Sequence, residues 1–234
     1  NYINGKYVLY YAMSVWGGEQ TCGIGVATAN SPQGPFTDHG KMFRSNEIGV
    51  QNSIDPSLLQ YEGRNYLVWG SFRGIYVIEL TADGLSIMSG AKKKRIAGTA
   101  FEAVYIHKHG DYYYMFASIG SCCQGVKSTY KVVVGRSKKV WGPYKDKTGK
   151  PMLKNGYSLV IGANDHFVGN GHGSQIIQDD AGQDWLLYHG FSRSTPENGR
   201  ILLLDQIKWD QEGWPYVEGG SPSYETQKAP VFNN

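Results

Sequence analysis

Apolar and polar positions along this 234-residue chain fall into a repeating pattern. Four segments place a Gly-containing polar turn before a strand dense in aromatic and aliphatic residues. They are Asn4-Gly-Lys-Tyr-Val-Leu-Tyr-Tyr11, Glu62-Gly-Arg-Asn-Tyr-Leu-Val-Trp69, His109-Gly-Asp-Tyr-Tyr-Tyr-Met-Phe116 and Ala181-Gly-Gln-Asp-Trp-Leu-Leu-Tyr188. Their turn glycines lie at 5, 63, 110 and 182, so the spacings are 58, 47 and 72 residues. A second strand follows each one: Gly23–Ala27, Gly74–Ile78, Tyr130–Val134 and Arg200–Leu204. Three units then close with an aromatic after Pro, in Gly34-Pro-Phe36, Gly142-Pro-Tyr144 and Trp214-Pro-Tyr216. No helical period runs between these strands. Repeated antiparallel units of this size predict an all-β fold, a β-propeller whose blades are four-stranded sheets around a central channel. A β-sandwich is the alternative, but it gives no reason for one hairpin to recur four times. Four hairpins predict four blades. The first is expected to be incomplete at its N-terminus, because Tyr2-Ile3 reads as the tail of a strand entering the Asn4-Gly5 turn.

The stretch Ala100–Ser118 carries the most information. Glu102 stands in an otherwise uncharged run, Thr99–Ile106, followed by a polar turn over His107–Asp111 and the aromatic run Tyr112–Phe116. Two strand-like runs joined by a Gly-containing loop predict a β-hairpin. An ionised carboxylate on an apolar strand is costly to desolvate without partners, which suits a group that donates a proton. The plainer reading is a Glu at a strand end, solvated or paired with an Arg.

Composition narrows the functional classes. Aromatics are 13% of residues, with 17 Tyr, 6 Trp and 31 Gly, which favours strands, tight turns and surfaces that stack on sugars or bases. A formal charge of +3 is too small to suggest a nucleic-acid partner. The one dense basic run, Lys92 to Arg95, is expected on a solvated turn or strand edge. No apolar run approaches the ~20 residues that span a membrane. Three cysteines, Cys22 and the adjacent Cys122-Cys123, form neither a disulfide framework nor a zinc spacing. Buried free thiols are the expected state, since neighbouring cysteines bridge only with strain.

In a propeller the innermost strand of each blade lines the channel, so polar residues before each aromatic hairpin face the axis. Asp55 lies in Gln51-Asn-Ser-Ile-Asp-Pro-Ser-Leu-Leu59, and Pro56 is expected to hold it extended. Turn initiation by Asp-Pro is the structural alternative. Glu102 precedes the third hairpin. His172 precedes the fourth, in Val168-Gly-Asn-Gly-His-Gly-Ser174, where glycines let the backbone crowd around it. Two carboxylates and a histidine at matching places on successive blades would converge on one pocket.

Motifs across nearly the whole chain give this pattern a family likeness. Ser53-Ile-Asp-Pro-Ser57, Phe101-Glu-Ala103, Gly110–Tyr114, Cys122-Cys-Gln-Gly-Val-Lys-Ser-Thr-Tyr130, Val134-Gly-Arg-Ser137, Gly142-Pro-Tyr144, Gly169-Asn-Gly-His172 and Trp214-Pro-Tyr-Val217 occur in that order. Together they resemble glycoside hydrolase family 43, most closely its endo-α-1,5-L-arabinanases. The resemblance implies a five-bladed propeller that hydrolyses glycosidic bonds with inversion, about four blades of it in this chain. Residues 1–234 would then be a single catalytic domain truncated at its N-terminus. It implies that Glu102 is the general acid and that Asp55 holds and tunes it. His172 resembles the histidine that helps bind a hydrated cation, usually calcium, although calcium prefers oxygen ligands. Trp16, Gly17, Asn52, Ser71 and Phe72 fall in segments that resemble those bordering the sugar subsites. For Trp16, filling the core is the competing reading.

The departures are specific. The family's general base is an Asp on the innermost strand of the first blade, and no Asp here matches its motif, so it is expected upstream of Asn1. An inverting hydrolase needs that base ~6.5–9.5 Å from its acid. Val104 and Asn170 stand where the family usually has Pro, and Ile161–Val168, with Asp165 and His166, fits it less well. Three readings follow: an endo-arabinanase, an exo-acting α-L-arabinofuranosidase or β-xylosidase of the same family, and a non-catalytic glycan-binding propeller. The expected partner is arabinan or an arabino-oligosaccharide, with no nucleic acid and no membrane span. A polymeric substrate implies a secreted or periplasmic location.

Overall fold

A computed structural model describes residues 1–233. It is almost entirely β, and its strands form four antiparallel sheets among the described residues. Two compact units contain them, Asn1–Tyr105 and Ile106 onward.

The first unit holds two meanders. One runs β1 (Tyr2–Ile3), β2 (Lys6–Met13), β3 (Gly23–Ala29) and β4 (Thr37–Arg44), and a single helical turn, α1 (Ser45–Ile48), leads out of it. The other runs β5 (Ser57–Tyr61), β6 (Arg64–Trp69), β7 (Ile75–Glu79) and β8 (Lys94–Ala97). The Asn4-Gly5 and Glu62-Gly63 turns between paired strands have φ of +48°, +81°, +49° and +72°. Two successive residues with positive φ match the right-handed twist of the flanking strands, which explains why Gly recurs at these corners. Val8, Tyr10, Ile24, Phe43, Leu67, Trp69 and Ile78 share one core. The Trp69 side chain is fully buried, with the rings of Phe43 and Tyr76 at 5.3 and 5.9 Å. The basic run lies on and before β8, the outermost strand, with all four side chains exposed, as expected for a protected sheet edge.

The second unit contains most of the third meander and all of the fourth. The third is β9 (Glu102–His109), β10 (Tyr112–Ile119), β11 (Lys131–Ser137) and β12 (Ser158–Ile161). The predicted hairpin is present, but its turn is only Gly110-Asp111, and His107–His109 belong to β9. In the fourth sheet β13 (Phe167–Gly171) and the two-residue β14 (Ile177–Gln178) both pair with β15 (Asp184–Ser192), which is followed by β16 (Arg200–Trp209) and β17 (Pro215–Tyr216). The innermost strand is therefore interrupted, and His172 sits in the gap between β13 and β14, ahead of the fourth aromatic hairpin. The register shifts between Val168 and Gly171, and a Cβ on Gly171 would meet the Tyr130 ring at 2.3 Å. Packing against Tyr130 thus fixes glycine here and diverts the chain.

The all-β, four-blade reading holds in the sheet count and strand order. Among the described residues no helix is long and apolar enough to cross a membrane. One expectation fails: Cys122 and Cys123 are joined by a disulfide, in a half-exposed loop rather than a core that would shelter thiols. Cys22 is a buried free thiol.

Candidate active site

Glu102 opens β9 and is 8% exposed. Its Oε2 accepts a hydrogen bond of 2.7 Å from the Ser71 hydroxyl, itself buried. Ser71 reaches it because the chain bends at Gly70, where φ is +128° and a Cβ would lie 2.3 Å from the Gly74 carbonyl oxygen. No other residue type fits that corner. The Phe72 amide then donates to the Phe101 carbonyl at 2.9 Å, which fastens this bend to the residue before Glu102. Asn52 is half-buried, and its Nδ2 donates to the Ser71 carbonyl at 3.0 Å.

Asp55 anchors the residue on the other side of Glu102. Its Oδ2 accepts the Ala103 amide at 3.0 Å, a charge-assisted bond to the residue that follows Glu102. The Ser57 hydroxyl donates to the Val104 carbonyl at 2.7 Å, so both flanks of the Asp55-Pro56 step grip the start of β9. The predicted extended conformation of Asp55 is not what is found: its φ is +56°. The Asp side chain tolerates this region better than most, and the bond to Ala103 offsets its cost.

Backbone strain gathers at this site. Asn52, Asp55, Phe72 and Ala103 all have positive φ, between +50° and +56°. Each such residue costs on the order of 1–3 kcal/mol and persists where surrounding contacts enforce it, a pattern typical of functional sites. The loop carrying Trp16 and Gly17 joins the same region. Arg73, next to Phe72, makes a two-pronged salt bridge to Glu19 at 2.8 and 2.9 Å, and the Asn52 amide donates to the Glu19 carbonyl at 2.8 Å. Trp16 is 90% exposed, so it does not fill the core. A large apolar ring held out in solvent beside a polar site is available to stack on a sugar face.

His172 belongs to the second unit. Its ring is exposed, its φ is +52°, and its amide donates to the Ser118 hydroxyl at 2.8 Å. The His189 ring stacks at 6.3 Å from it and at 5.7 Å from Tyr130. Burial, with help from Arg200 and His172, pushes His189 down to about 4. Its Nδ1 is buried without a hydrogen-bond partner. His172 offers an imidazole nitrogen, and beside it lie the His189 ring and the Ser118 hydroxyl, a poor match to the six to eight oxygens that calcium takes. A calcium ion there would draw one ligand from His172 and fill the rest of its shell with water.

Ser118 and His189 were not legible as site residues, since a Ser inside an apolar strand and a His inside an aromatic one read as packing. The substituted Asn170 has a clear local role: its Nδ2 donates to the Gly162 carbonyl at 2.7 Å, which a Pro could not do.

A family model described as Glycosyl hydrolases family 43 matches residues 1–215. The extracellular exo-α-(1→5)-L-arabinofuranosidase ArbA of Cellvibrio japonicus is 38% identical over 92% of this chain and 67% of its own length. The extracellular endo-α-(1→5)-L-arabinanase 1 of Bacillus subtilis is 37% identical, with 92% and 66% covered. The chain thus spans about two thirds of the length of these relatives. Among solved structures, the Cellvibrio cellulosa α-L-arabinanase complexed with arabinohexaose superposes with a TM-score of 0.85, at 34% identity over 94% of this chain and 76% of that one.

Proposed function

Because the chain belongs to glycosyl hydrolases family 43, a family of glycosidases, we propose that it supplies the acid half of an arabinan hydrolase that cleaves α-1,5-L-arabinan internally and with inversion. The observation that carries this reading is Glu102, a buried carboxyl group with one oxygen held by Ser71 and both flanking residues anchored. Fixing the acid against a defined position supplies orientation, and proton donation to the leaving oxygen supplies typically ~10²–10⁴-fold. Asp55 acts through the backbone of Ala103 as a positioning residue. Trp16 provides the stacking surface, with Gly17 giving its loop room to turn. Asn52, Ser71 and Phe72 form the wall beneath the sugar.

The general base, in this reading, is an Asp on a segment upstream of Asn1 that completes a fifth blade. Residues 1–234 then belong to a single catalytic domain. Calcium at His172 rests on family likeness alone, and no step is assigned to it. The extracellular relatives and the polymeric substrate support secretion or a periplasmic location.

Release from the chain end is a second reading, favoured by the exo-acting relative at 38% identity. One experiment addresses both. The full-length protein and its Glu102→Gln variant are assayed on linear arabinan for reducing ends and for product length. Loss of at least ~10²-fold in the variant, with substrate binding retained, supports the acid role. Normal turnover by the variant overturns it. Mixed oligosaccharides early in the reaction support internal cleavage, and a single short product supports the exo reading.

A further inference from the structure

We propose that His107, His109 and Asp184 form a second site, for a divalent transition metal ion of the zinc class, in the unit that begins at Ile106. His107 and His109 are two apart on β9, so their side chains leave the same face of the strand. Asp184 opens β15. One potential ligand atom from each of the three lies within 4.8 Å of the other two. Tetrahedral zinc, with bonds of ~2.0–2.2 Å, sets neighbouring ligand atoms roughly 3.4 Å apart, so the cluster closes on an ion by side-chain rotation of about an ångström.

The surroundings are built to aim these donors. The Asp184 carboxylate is only 7% exposed. Its Oδ2 accepts the Trp209 indole N–H at 2.7 Å, and its Oδ1 accepts the Gln178 amide at 3.2 Å. Those two donors fix its plane and leave lone pairs on the side of the histidines, with His109 Nδ1 at 3.9 Å from Oδ2. The His109 ring lies flat on Trp209, with centroids 3.7 Å apart and planes 9° from parallel. It can therefore slide toward the carboxylate without losing the stack. His107 stands over the same indole at 6.1 Å. Outer partners of this kind orient ligands in known metal sites.

Chemistry selects the ion. Two imidazoles and one carboxylate suit zinc, with a water in the fourth position, whereas calcium and magnesium prefer all-oxygen shells. A buried carboxylate held by neutral donors is also short of positive charge, which a dication supplies. The site is distinct from Glu102, which lies five and seven residues earlier on the same strand. Its consequence is structural: a bound ion ties the turn end of β9 to the start of β15.

The test uses the purified protein freed of metal with a chelator and titrated with Zn²⁺ against a chromophoric competitor. One equivalent is expected to bind in the wild type and equally in His172→Ala. His107→Ala or His109→Ala should weaken binding by at least about tenfold, on the scale seen when even outer-shell partners are removed. Thermal unfolding adds a second readout: Zn²⁺ should raise the midpoint of the wild type and not that of the double variant His107→Ala/His109→Ala. Asp184→Asn is a weaker probe because Asp184 also holds Trp209 and Gln178. No uptake by the wild type, unchanged affinity in both histidine variants, or loss only in His172→Ala overturns the site. Equal binding of Ca²⁺ at these residues overturns the choice of ion.

Discussion

The Ser71 hydroxyl donates to Glu102 Oε2 at 2.7 Å, and both side chains are buried. The bond fixes where the carboxyl points before any substrate arrives. Ser71→Ala would leave a buried carboxyl oxygen short of a donor, at a cost of about 1–3 kcal/mol. The expected result is a lower unfolding midpoint together with a fall in kcat of roughly tenfold and a smaller rise in KM, because orientation of the acid is lost while most of the sugar wall is kept. Steady-state kinetics on linear arabinan by the full-length protein would show it. A change confined to KM would contradict a positioning role.

Asp55 separates hydrogen bonding from charge. Asp55→Asn keeps an oxygen that accepts the Ala103 amide and a side chain tolerant of φ near +56°. Asp55→Ala loses both. The alanine variant should be destabilised by about 1–3 kcal/mol in chemical denaturation. The asparagine variant should unfold near the wild-type midpoint. Any activity lost by asparagine alone then measures the charge.

His189 makes stability depend on pH. Its imidazole is held down to about 4 in the folded chain by burial, then by Arg200 and His172, against about 6.5 when unfolded. Between those values the unfolded chain binds more protons, so stability falls as pH drops from about 6.5 toward 4 and is fully present above that window. The contribution is about 1–2 kcal/mol after discounting for the part of the ring open to water. Replacing it by His189→Gln should flatten the pH dependence of the denaturation midpoint, measured with a chelator present. An unchanged slope would rule His189 out as its source.

Thiol counting checks the cysteines. With Cys22 buried and Cys122–Cys123 bridged, the native protein should take up no iodoacetamide. Denaturation without reductant should expose one thiol, and reduction should expose three. Intact mass reads each state. Three reactive thiols before reduction would mean the bridge is absent.

The sequence by itself determined the sheet class, the hairpin corners and the strand order. Those features are local: alternation within a strand and a Gly that accepts positive φ at a corner do not depend on distant residues. Motif order likewise marked Glu102, Asp55 and His172 as positions of interest. Only the tertiary structure decided what they touch. Asp55 and Ala103 are 48 residues apart, Ser71 and Glu102 are 31 apart, and Ser118 and His172 are 54 apart. No local preference encodes such contacts, and here they override one, since Pro56 alone would have left Asp55 extended. The state of Cys122 and Cys123 was hidden for a related reason: a loop fold, and not their spacing, sets whether neighbouring thiols meet. Trp16 shows the same limit, because an aromatic at the end of a strand is core or sugar platform only once the chain has decided which way it faces.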